Sequence, residues 1–325
     1  MNLFTQIGPR GHFYECPRWH DGSWWVSDFQ GHRVLRVSQD GVAETVVEVE
    51  NQPSGLGWLP DGSMLVVSMF DRRVLRVTNG VVSVHADLSD VCPGWTNDMC
   101  VTSSGNAYVG NFGFDLTDPS ARTSRTCLVL VTPKGDVRVV ADDLAFPNGC
   151  MVTDGDSVLI VNETLASRHT AFRITPDGSL VDRRLWAQIG EPPVDPDNAL
   201  ADLHYAPDGG CLDSKGRMWV GDAWGRRILQ IEEGGRILFD IPLPNELSAY
   251  ACCVGGPNGT TLMIAASTEL TAEQRRDSTE SVLLLLDVSE GFLPTIFPYV
   301  DWRTEVKSAE TEGALRKLAG SDGSE

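Results

Sequence analysis

An internal repeat constrains the fold of this chain of 325 residues more than any other feature. Short β-rich runs are separated by tight turns, and each copy of the repeat carries a turn glycine. The six turn glycines are Gly22, Gly62, Gly105, Gly155, Gly216 and Gly259. Their spacings of 40, 43, 50, 61 and 43 residues resemble the period of about 40 to 50 residues that is typical of β-propeller blades.

The repeat therefore predicts an all-β fold, a six-bladed β-propeller with four strands in each blade. Residues 1–304 are expected to form this single domain, and residues 305–325 an acidic C-terminal tail whose end is disordered. The long interval between Gly155 and Gly216 leaves a second architecture open. This is a seven-bladed or irregular propeller with a degenerate copy inside that interval.

Charge and apolar content exclude several classes of function. The chain has 26 Lys and Arg against 45 Asp and Glu, a formal net charge of −19. With no basic stripe, it repels phosphate backbones and anionic lipid, so we expect neither a nucleic-acid nor a membrane partner. No secretory signal is visible, and the longest apolar run, residues 282–286, is too short to cross a bilayer. Eight cysteines without C-x-x-C spacing indicate buried thiols in a cytoplasmic protein.

Polar residues recur at one position of the repeat, seven or eight residues before the turn glycine. They are Glu15, Ser54, Asn97, Asn148 and Asp208, whereas the sixth copy offers only Ala251. Propeller symmetry brings this position together at one end of the central channel. Carboxylate and carboxamide oxygens there suit a hard divalent cation such as Ca²⁺, Mg²⁺ or Mn²⁺, and Zn²⁺ also accepts carboxylate oxygen. The alternative is that these residues only cap the channel mouth through hydrogen bonds.

A second polar set lies where the next strand of each copy returns to the same end of the channel. Its members are Asp28, Ser68, Asn111, Asn162, Glu163 and Asp222. They could line the pocket, or they could support the first set from behind. For each single residue, a structural hydrogen bond is the more common role.

Four segments of the chain resemble the gluconolactonase family. They are YECPRW around Glu15, TNDMCVTSSGNAYVGNF around Asn97, FPNGCMVTDGDSVLIVNET around Asn148 and APDGGCLDSKGRMWVGDA around Asp208. That family includes regucalcin, bacterial sugar lactonases and luciferin-regenerating enzyme, and the similarity spans about residues 14–290. It implies a six-bladed propeller with one divalent metal ion at the centre of one face.

The resemblance also implies roles for individual residues. Glu15, Asn148 and Asp208 match the metal ligands, and Asp208 also matches the acid/base of lactone hydrolysis. Asn97 matches a residue that reaches the substrate or metal-bound water. However, Trp95 stands where sugar lactonases carry an arginine that contacts the sugar. Because an indole offers one donor and a large apolar face, the sugar specificity does not carry over.

These observations give a set of expected ligands and binding residues. Substrate-binding candidates are Trp95, Asn97, Asp98 and Glu163, and candidates for pocket walls are Trp95, Tyr14, Phe112 and Trp224. The expected cofactor is one divalent metal ion per chain, with Ca²⁺ foremost and Zn²⁺, Mn²⁺ or Mg²⁺ as alternatives. The expected partner is a small-molecule lactone or ester, bound by a monomer or a small homo-oligomer.

The sequence therefore predicts a metal-dependent hydrolase of the lactonase type, acting on carboxylic ester bonds. It would open a lactone ring, of a sugar or of a less polar compound, by attack of water on a metal-polarised carbonyl. The chain has no G-x-S-x-G elbow, G-x-G-x-x-G motif or Walker loop, which disfavours serine hydrolases and nucleotide-binding enzymes. Two alternatives stay open: metal-dependent hydrolysis of another ester or a phosphotriester, and a calcium-binding propeller without turnover.

Overall fold

Six four-stranded antiparallel sheets build the described part of the chain. The computed structural model describes residues 3–115, 123–153, 155–193, 203–268 and 271–293. Within these ranges, 24 strands are accompanied by one short helix, α1 (Ala272–Asp277), and one 3-10 turn, Thr164–Ala166. The predicted six-bladed β-propeller is confirmed, and the seven-bladed alternative is wrong. The end of the predicted domain and the predicted tail at residues 305–325 lie outside the described residues.

Each blade is an up-and-down sheet that is entered at its innermost strand. Blade one contains β2 (Tyr14–His20), β3 (Ser23–Asp28), β4 (Arg33–Val37) and β5 (Ala43–Glu48). Blade two contains β6 (Pro53–Trp58), β7 (Met64–Ser68), β8 (Arg73–Thr78) and β9 (Val81–Asp87). Blade three contains β10 (Thr96–Val101), β11 (Ala107–Asn111), β12 (Thr126–Val131) and β13 (Val137–Leu144).

The second half of the propeller repeats this order. Blade four contains β14 (Pro147–Val152), β15 (Val158–Glu163), β16 (Arg168–Ile174) and β17 (Leu180–Gln188). Blade five contains β18 (Pro207–Leu212), β19 (Met218–Asp222), β20 (Arg227–Ile231) and β21 (Ile237–Pro242). Blade six contains β22 (Ser248–Gly255), β23 (Thr261–Ser267) and β24 (Ser281–Asp287), and its fourth strand is β1 (Thr5–Gly11).

The hydrophobic core lies between neighbouring blades. Val34 of blade one packs in one cluster with Leu56 and Val66 of blade two, and all three are fully buried. Burial of each such side chain stabilises the fold by roughly 1.5–3 kcal/mol. Second strands such as β7 are buried along their whole length, whereas the outer strand β9 is largely exposed. This pattern follows because a middle strand is covered by blades on both faces.

The propeller is closed by a strand from the other end of the chain. β1 pairs antiparallel with β24, with Thr5 opposite Leu285 and Ile7 opposite Leu283. Blade six is therefore built from both ends of the described chain, and the first residues of blade one follow directly after β1.

A bulge in each innermost strand sets the position of the first polar set. The register shifts just after this position in all six innermost strands. Several blades place glycine here because the innermost strands approach closely around the axis. A Cβ atom at Gly55 would lie 2.4 Å from the backbone nitrogen of Met99, and one at Gly149 2.7 Å from the carbonyl oxygen of Asp208. Bulges of this kind redirect a side chain, here towards the channel.

The sixth copy of the repeat was aligned wrongly by spacing alone. In blade six, Ser248 pairs with Ser267 and Ala249 with Ala266, ahead of the bulge. The residue at the phase of Glu15 is therefore Ala249, and not Ala251 as predicted. The reason is a longer hairpin, since ten residues separate Ala249 from Gly259 where seven or eight separate the other pairs.

Two further predictions concern the whole chain. All eight cysteines are free thiols, and all but Cys211 and Cys253 are buried, in line with the interpretation of their spacing. None of the helices in the described ranges is both long and apolar enough to pass through a bilayer.

Candidate active site

Five polar side chains meet at one end of the channel in a continuous arc, the oxygen ring, which consists of Glu15, Ser54, Asn97, Asn148 and Asp208. Ser54 Oγ donates to Asn97 Oδ1 over 3.1 Å, and Asn97 Nδ2 donates to Asn148 Oδ1 over 3.0 Å. Asn148 hydrogen-bonds the carboxylate of Asp208, which in turn repels Glu15. The structure thus brings together the residues that the repeat placed at one phase.

Glu15 occupies the ring as a buried carboxyl group. It is 7% exposed, and its Oε2 accepts a 3.1 Å hydrogen bond from the backbone nitrogen of Cys16. Cys16 adopts a left-handed conformation, with φ of 52°, which turns the chain at the bulge. Burial raises the pKa of Glu15 well above its usual range, and repulsion from Asp208 raises it further. The ionised form of Glu15 is therefore disfavoured unless a cation lies nearby.

Asp208 is the second carboxyl group of the ring. Burial raises its pKa to about 7, the charge of Arg275 opposes this rise, and the charge of Asp98 adds to it. Two neighbouring carboxylates with raised pKa values are costly when both are ionised, and a cation between them removes that cost. Two ionised carboxylates at Glu15 and Asp208 would therefore destabilise the fold, and a cation bound between them would remove this effect.

The donor set of the ring fits a hard divalent cation. All of its candidate ligand atoms are oxygens, from two carboxylates and from carboxamides, the ligand chemistry that Ca²⁺, Mg²⁺ and Mn²⁺ prefer. Among the described residues, no three His, Cys, Asp or Glu side chains cluster as a metal site. Any protein ligand beyond Glu15 and Asp208 would therefore be a carboxamide or hydroxyl oxygen of the ring.

A buried hydrogen-bond network holds the backbone of Asp208. Asn162 Nδ2 donates to the carbonyl oxygen of Asp208, so its Oδ1 accepts from His169 Nδ1 over 2.7 Å. The other ring nitrogen, His169 Nε2, then accepts from the hydroxyl of Tyr205 over 2.9 Å. Burial lowers the pKa of His169 to about 3, so the imidazole is neutral at physiological pH. The sequence did not single out His169, whereas His204, the histidine nearest to Asp208 in sequence, is exposed.

The second polar set acts mainly as support for the oxygen ring. Asp28, Glu163 and Asp222 each end the second strand of a blade and accept hydrogen bonds from backbone N–H groups. The donors lie just ahead of the ring residue of the same blade, at Phe13 (3.0 Å), Ala145 (2.9 Å) and Ala206 (3.1 Å). Each carboxylate also pairs with the arginine that begins the next strand. These bonds fix the loop that delivers each ring residue.

Glu163, a predicted substrate-binding residue, is fully enclosed by the residues that it helps to position. Its side chain is 0% exposed, and its Oε1 accepts from Arg168 over 2.8 Å and from Thr170. Although burial acts to raise it, these hydrogen bonds hold the pKa of Glu163 below its usual value. Its contacts identify it as a positioning residue, and direct contact with substrate stays a prediction.

Asp98, another predicted substrate-binding residue, pairs with an arginine inside the channel. Its Oδ1 accepts from Arg18 Nη2 over 2.7 Å, and its side chain is 4% exposed. The same guanidinium donates to the carbonyl oxygens of Leu56, Met99 and Pro17. The negative charge of Asp98 is therefore balanced next to the ring, and its contact with substrate stays a prediction.

Aromatic side chains form a wall beside the ring. Trp95 is half-buried, with its ring centroid 4.6 Å from that of Phe70 and 6.5 Å from that of Phe112. Phe112 stacks on Phe146 at 4.7 Å. Trp95 lies two residues before Asn97, and Phe146 two residues before Asn148, so the wall stands on the same loops as the ring.

Of the other two predicted wall residues, Tyr14 lies elsewhere in the packing. It is fully buried with the core of blades one and six, and its hydroxyl donates to the carbonyl oxygen of Pro9. Trp224 packs against a cluster that includes Phe114, and Phe146 of the wall packs against the same cluster. A wall role for Trp224 therefore stays a prediction.

Helix α1 adds a cation that the repeat could not reveal. The Cζ atom of Arg275 lies 3.5 Å from the ring centroid of Phe13 and 4.9 Å from that of Tyr250. A capping box between Thr271 and Gln274 begins the helix, and His12 Nδ1 lies 3.3 Å from the carbonyl oxygen of Arg275. The T-x-x-Q pattern of a capping box is a sequence signal for the start of this helix.

The opposite end of the channel has a different character. It opens into a cavity of about 920 Å³ lined by Arg18 and by several thiols, among them Cys150, Cys211 and Cys253. None of the oxygen-ring residues lines this cavity. The candidate active site is therefore the end that carries the ring, the aromatic wall and Arg275.

Comparison with protein families and curated proteins finds relatives over much of the chain. Residues 13–268 match a family model described as the SMP-30/gluconolactonase/LRE-like region. The regucalcin of Oryctolagus cuniculus is 21% identical over 173 residues, which are 53% of this chain and 54% of that protein. Matches to the regucalcins of Xenopus laevis and Danio rerio cover 32% and 21% of those proteins. The chain is thus matched to about half the length of these relatives or less.

Solved structures share the fold over most of the chain. A gluconolactonase from Xanthomonas campestris has a TM-score of 0.67 at 20% identity, with 87% of this chain and 89% of that chain covered. A calcium-binding protein, regucalcin, from Agrobacterium tumefaciens has a TM-score of 0.68 at 17% identity, with 88% and 94% covered. A luciferin-regenerating enzyme has a TM-score of 0.71 at 16% identity, with 89% and 96% covered. At these identities the likeness shows the propeller fold.

Proposed function

We propose that this chain, which belongs to the SMP-30/gluconolactonase/LRE-like family, is a metal-dependent hydrolase that opens lactone rings. The family match agrees with the resemblance carried by the four sequence segments. The observation that carries the proposal is the oxygen ring, in which the buried carboxyl group of Glu15 and the half-buried one of Asp208, both with raised pKa values, stand beside carboxamide oxygens. Fold alone would not support an activity, so the proposal rests on this site together with the family.

Three residues of the ring would hold the cation. Glu15, Asn148 and Asp208 contribute the two carboxylates and one carboxamide, an all-oxygen set that favours Ca²⁺ over softer metals. When bound, a divalent ion polarises a carbonyl group and lowers the pKa of water. The calcium-binding relative from Agrobacterium tumefaciens is consistent with this choice, and Zn²⁺, Mn²⁺ and Mg²⁺ are the alternatives to be tested.

Asp208 moves the proton in the proposed reaction. As the oxygen of water forms a bond to the lactone carbonyl carbon, Asp208 takes one proton from that water. The bond between the carbonyl carbon and the ring oxygen then breaks, and Asp208 returns the proton to the ring oxygen. Water and lactone are consumed, one hydroxy acid is formed, and the carboxylate is regenerated.

Other residues orient the substrate and select it. Asn97 donates to Asn148 and keeps its second amide hydrogen for substrate or water. Trp95 is half-buried and stands where sugar lactonases carry an arginine, and the buried Phe112 packs beside it, so this position offers an apolar face and one donor. The wall therefore favours a less polar lactone over an unmodified sugar lactone, and it gives weight to aryl esters as the second class of substrate.

The test is hydrolysis of a lactone panel by metal-stripped protein to which Ca²⁺, Mg²⁺, Mn²⁺ or Zn²⁺ is returned. The panel runs from gluconolactone to aromatic and aliphatic lactones, with aryl esters and a phosphotriester as the alternative substrates. Asp208→Asn should lower turnover by about 10² to 10⁴-fold. Asp182→Asn is the matched control, because Asp182 is exposed and lies on an outer strand of blade four.

The possible outcomes distinguish the proposed lactonase from the two alternative functions. Metal-dependent lactone turnover that Asp208→Asn abolishes and Asp182→Asn preserves supports the proposal. Turnover of an aryl ester or phosphotriester alone moves the activity to that class. Metal binding without turnover of any panel member contradicts the proposed hydrolase activity and supports the alternative, a calcium-binding propeller without turnover.

A further inference from the structure

Two thiols, those of Cys92 and Cys127, meet in the core cluster against which the aromatic wall packs. Cys92 lies in the connection that enters blade three, three residues before Trp95, and Cys127 is the second residue of β12. The Cys92 thiol donates a hydrogen bond to the sulfur of Cys127, and Cys127 Sγ lies 3.6 Å from the carbonyl oxygen of Val91. Their contact therefore places two oxidisable sulfur atoms on two separate elements of blade three.

Polar donors surround the sulfur of Cys127. Besides the thiol of Cys92, Asn111 Nδ2 lies 3.7 Å from this sulfur and donates to the carbonyl oxygen of Cys127 over 3.0 Å. The hydrogen bond from Cys92 lowers the pKa of Cys127 to about 7; burial opposes this effect, and Asn111 and Thr126 add to it. The donors therefore favour the thiolate, which is the form of cysteine that reacts with oxidants.

A second pair of thiols offers a comparison within the same chain. Cys211 of β18 and Cys252 of β22 are hydrogen-bonded between blades five and six, and both line the cavity at the opposite end of the channel. The hydrogen bond with Cys252 and burial raise the pKa of Cys211 well above its usual value. This pair is therefore reached from the cavity but is protonated, whereas Cys127 is only 8% exposed and favours the thiolate.

The connection that holds Cys92 also carries part of the candidate active site. Its backbone is fixed at Leu88, whose carbonyl oxygen accepts from the amide of Cys92 over 2.9 Å, and at Trp95, whose carbonyl oxygen accepts from the amide of Phe112 over 3.0 Å. Trp95 of the wall and Asn97 of the oxygen ring follow Cys92 within five residues. A covalent bond at Cys92 would therefore restrict the segment that positions both.

We infer that Cys92 and Cys127 form a peroxide-sensitive site, in which oxidation to a disulfide fixes the segment that carries Trp95. The Cys127 thiolate attacks one oxygen of hydrogen peroxide, the O–O bond breaks, and the sulfenic acid of Cys127 and a hydroxide ion are formed. The hydroxide takes up the proton that the thiolate had released. The sulfur of Cys92 then attacks the sulfur of Cys127, and the sulfenic hydroxyl leaves with the proton of Cys92 as water. Two thiols and one peroxide thus give one disulfide and two waters.

Limited oxidation of the full chain tests the inference without metal or substrate, so its result does not depend on the proposed function. Reduced protein is treated with hydrogen peroxide at pH 7, the remaining thiols are alkylated, and disulfide-linked peptides are identified by mass spectrometry. We expect the Cys92–Cys127 link to form about tenfold or more faster than the Cys211–Cys252 link, because the larger thiolate fraction of Cys127 outweighs its lower intrinsic nucleophilicity. Reduction with dithiothreitol should return both thiols.

Variants separate the roles of the two thiols. In Cys92→Ser, Cys127 should stop at the sulfenic acid, which dimedone traps. In Cys127→Ser, Cys92 should remain a thiol over the same period. Cys211→Ser is the matched control and should leave the Cys92–Cys127 link unchanged. If thermal unfolding shows that a serine variant is not folded, the alanine variant replaces it, and the peptide map of the parent protein decides between the two pairs without any variant.

Hydrogen exchange measures the effect on the segment. After oxidation, the amides of residues 93–96 should exchange at least about threefold more slowly, because a cross-link limits local opening. The amides of residues 243–247, in the connection that enters blade six, should not change. In peroxide-treated Cys92→Ser, residues 93–96 should exchange as in the reduced parent protein.

Three results would overturn the inference. The first is formation of the Cys211–Cys252 link before the Cys92–Cys127 link. The second is a protein that keeps all eight thiols under a treatment that oxidises free glutathione completely. The third is a Cys92–Cys127 link that leaves exchange of residues 93–96 unchanged, since the pair would then not control the segment.

Discussion

Blades five and six are neighbours that use the same strand position in opposite ways. Blade five places Asp208 and then Gly209 at the ring, whereas blade six places Ala249 and then Tyr250. Asp208 contributes an acid whose pKa burial raises to about 7. Ala249 contributes no polar atom, but Tyr250 packs on Phe13 and beside Arg275.

The same two blades also differ in the connection that follows the second strand. Four residues, 223–226, link β19 to β20 in blade five, but thirteen residues, 268–280, link β23 to β24 in blade six. The longer connection carries α1 and its arginine. The difference teaches that the repeated part of the fold assembles the oxygen ring, whereas the blade that departs from the repeat brings the guanidinium of Arg275 beside Tyr250.

Removing a carboxylate from the ring should have the largest effect. Glu15→Gln keeps the shape of the side chain but removes one of two charges that would hold the cation. Ca²⁺ affinity should fall by more than about a hundredfold, since loss of an outer-shell partner alone costs about 10- to 100-fold. Calorimetric titration measures this, with Glu48→Gln on the exposed side of β5 as the control. An affinity that matches the control would remove Glu15 from the ligand set.

Adding a carboxylate to blade six should destabilise the metal-free protein. Ala249 is fully buried, so Ala249→Asp would bury a third charge close to Glu15 and Asp208. We expect the free energy of unfolding at pH 8 to fall by roughly 3 kcal/mol or more, with partial recovery in Ca²⁺. Urea unfolding with and without the ion measures both effects, and Ala249→Ser is the uncharged control. A metal-free variant as stable as Ala249→Ser would show that blade six tolerates charge as blade five does.

The pH dependence of the free energy of unfolding should reflect the titration of Asp208 in blade five. The pKa of Asp208 rises from 3.8 to about 7 on folding because of burial, so folding favours its protonated form. The stability contributed by this group is complete below about pH 4 and is lost as the pH rises through about 7. Metal-free protein should therefore weaken over this range, and Asp208→Asn should flatten the profile. Urea midpoints in the presence of chelator test this, and identical profiles for parent and variant would contradict it.

Loosening α1 should have the smallest effect. Thr271→Ala removes the capping box, which costs a helix about 0.5–2 kcal/mol. Because α1 lies in a connection, the thermal midpoint should not change, while the backbone amides of α1 should exchange hydrogen faster by about 2- to 30-fold, the factor that corresponds to this free energy. Thr45→Ala at an exposed position of β5 is the control. Unchanged hydrogen exchange in α1 would mean that the capping box does not stabilise the helix.

The oxygen ring could be predicted from sequence because its residues share one phase of a regular repeat. Where the phase was disturbed, the prediction failed: the longer hairpin of blade six moved the equivalent position from Ala251 to Ala249. Arg275 has no counterpart in the other copies, so no comparison between copies could find it.

The orientation of the remaining candidates depends on partners that spacing does not reveal. Asp98 meets Arg18, a residue of blade one eighty positions earlier. Glu163 is held by Arg168 at the start of the next strand of its own blade. In the sequence, a carboxylate next to a predicted ligand could bind substrate or metal. Only the packing of the blades shows which arginine forms an ion pair with it.

Closure of the propeller by β1 would let a cation in the oxygen ring stabilise the closed fold. β1 ends at Gly11 and β2 begins at Tyr14, so the strand that seals blade six is tethered directly to Glu15. Asp208 stands in the blade on the other side of that seam. An ion shared by Glu15 and Asp208 would hold blades one and five together on either side of blade six. Release of the ion would then weaken the pairing of β1 with β24. Chelation should then speed hydrogen exchange in β1 before it affects the blades opposite.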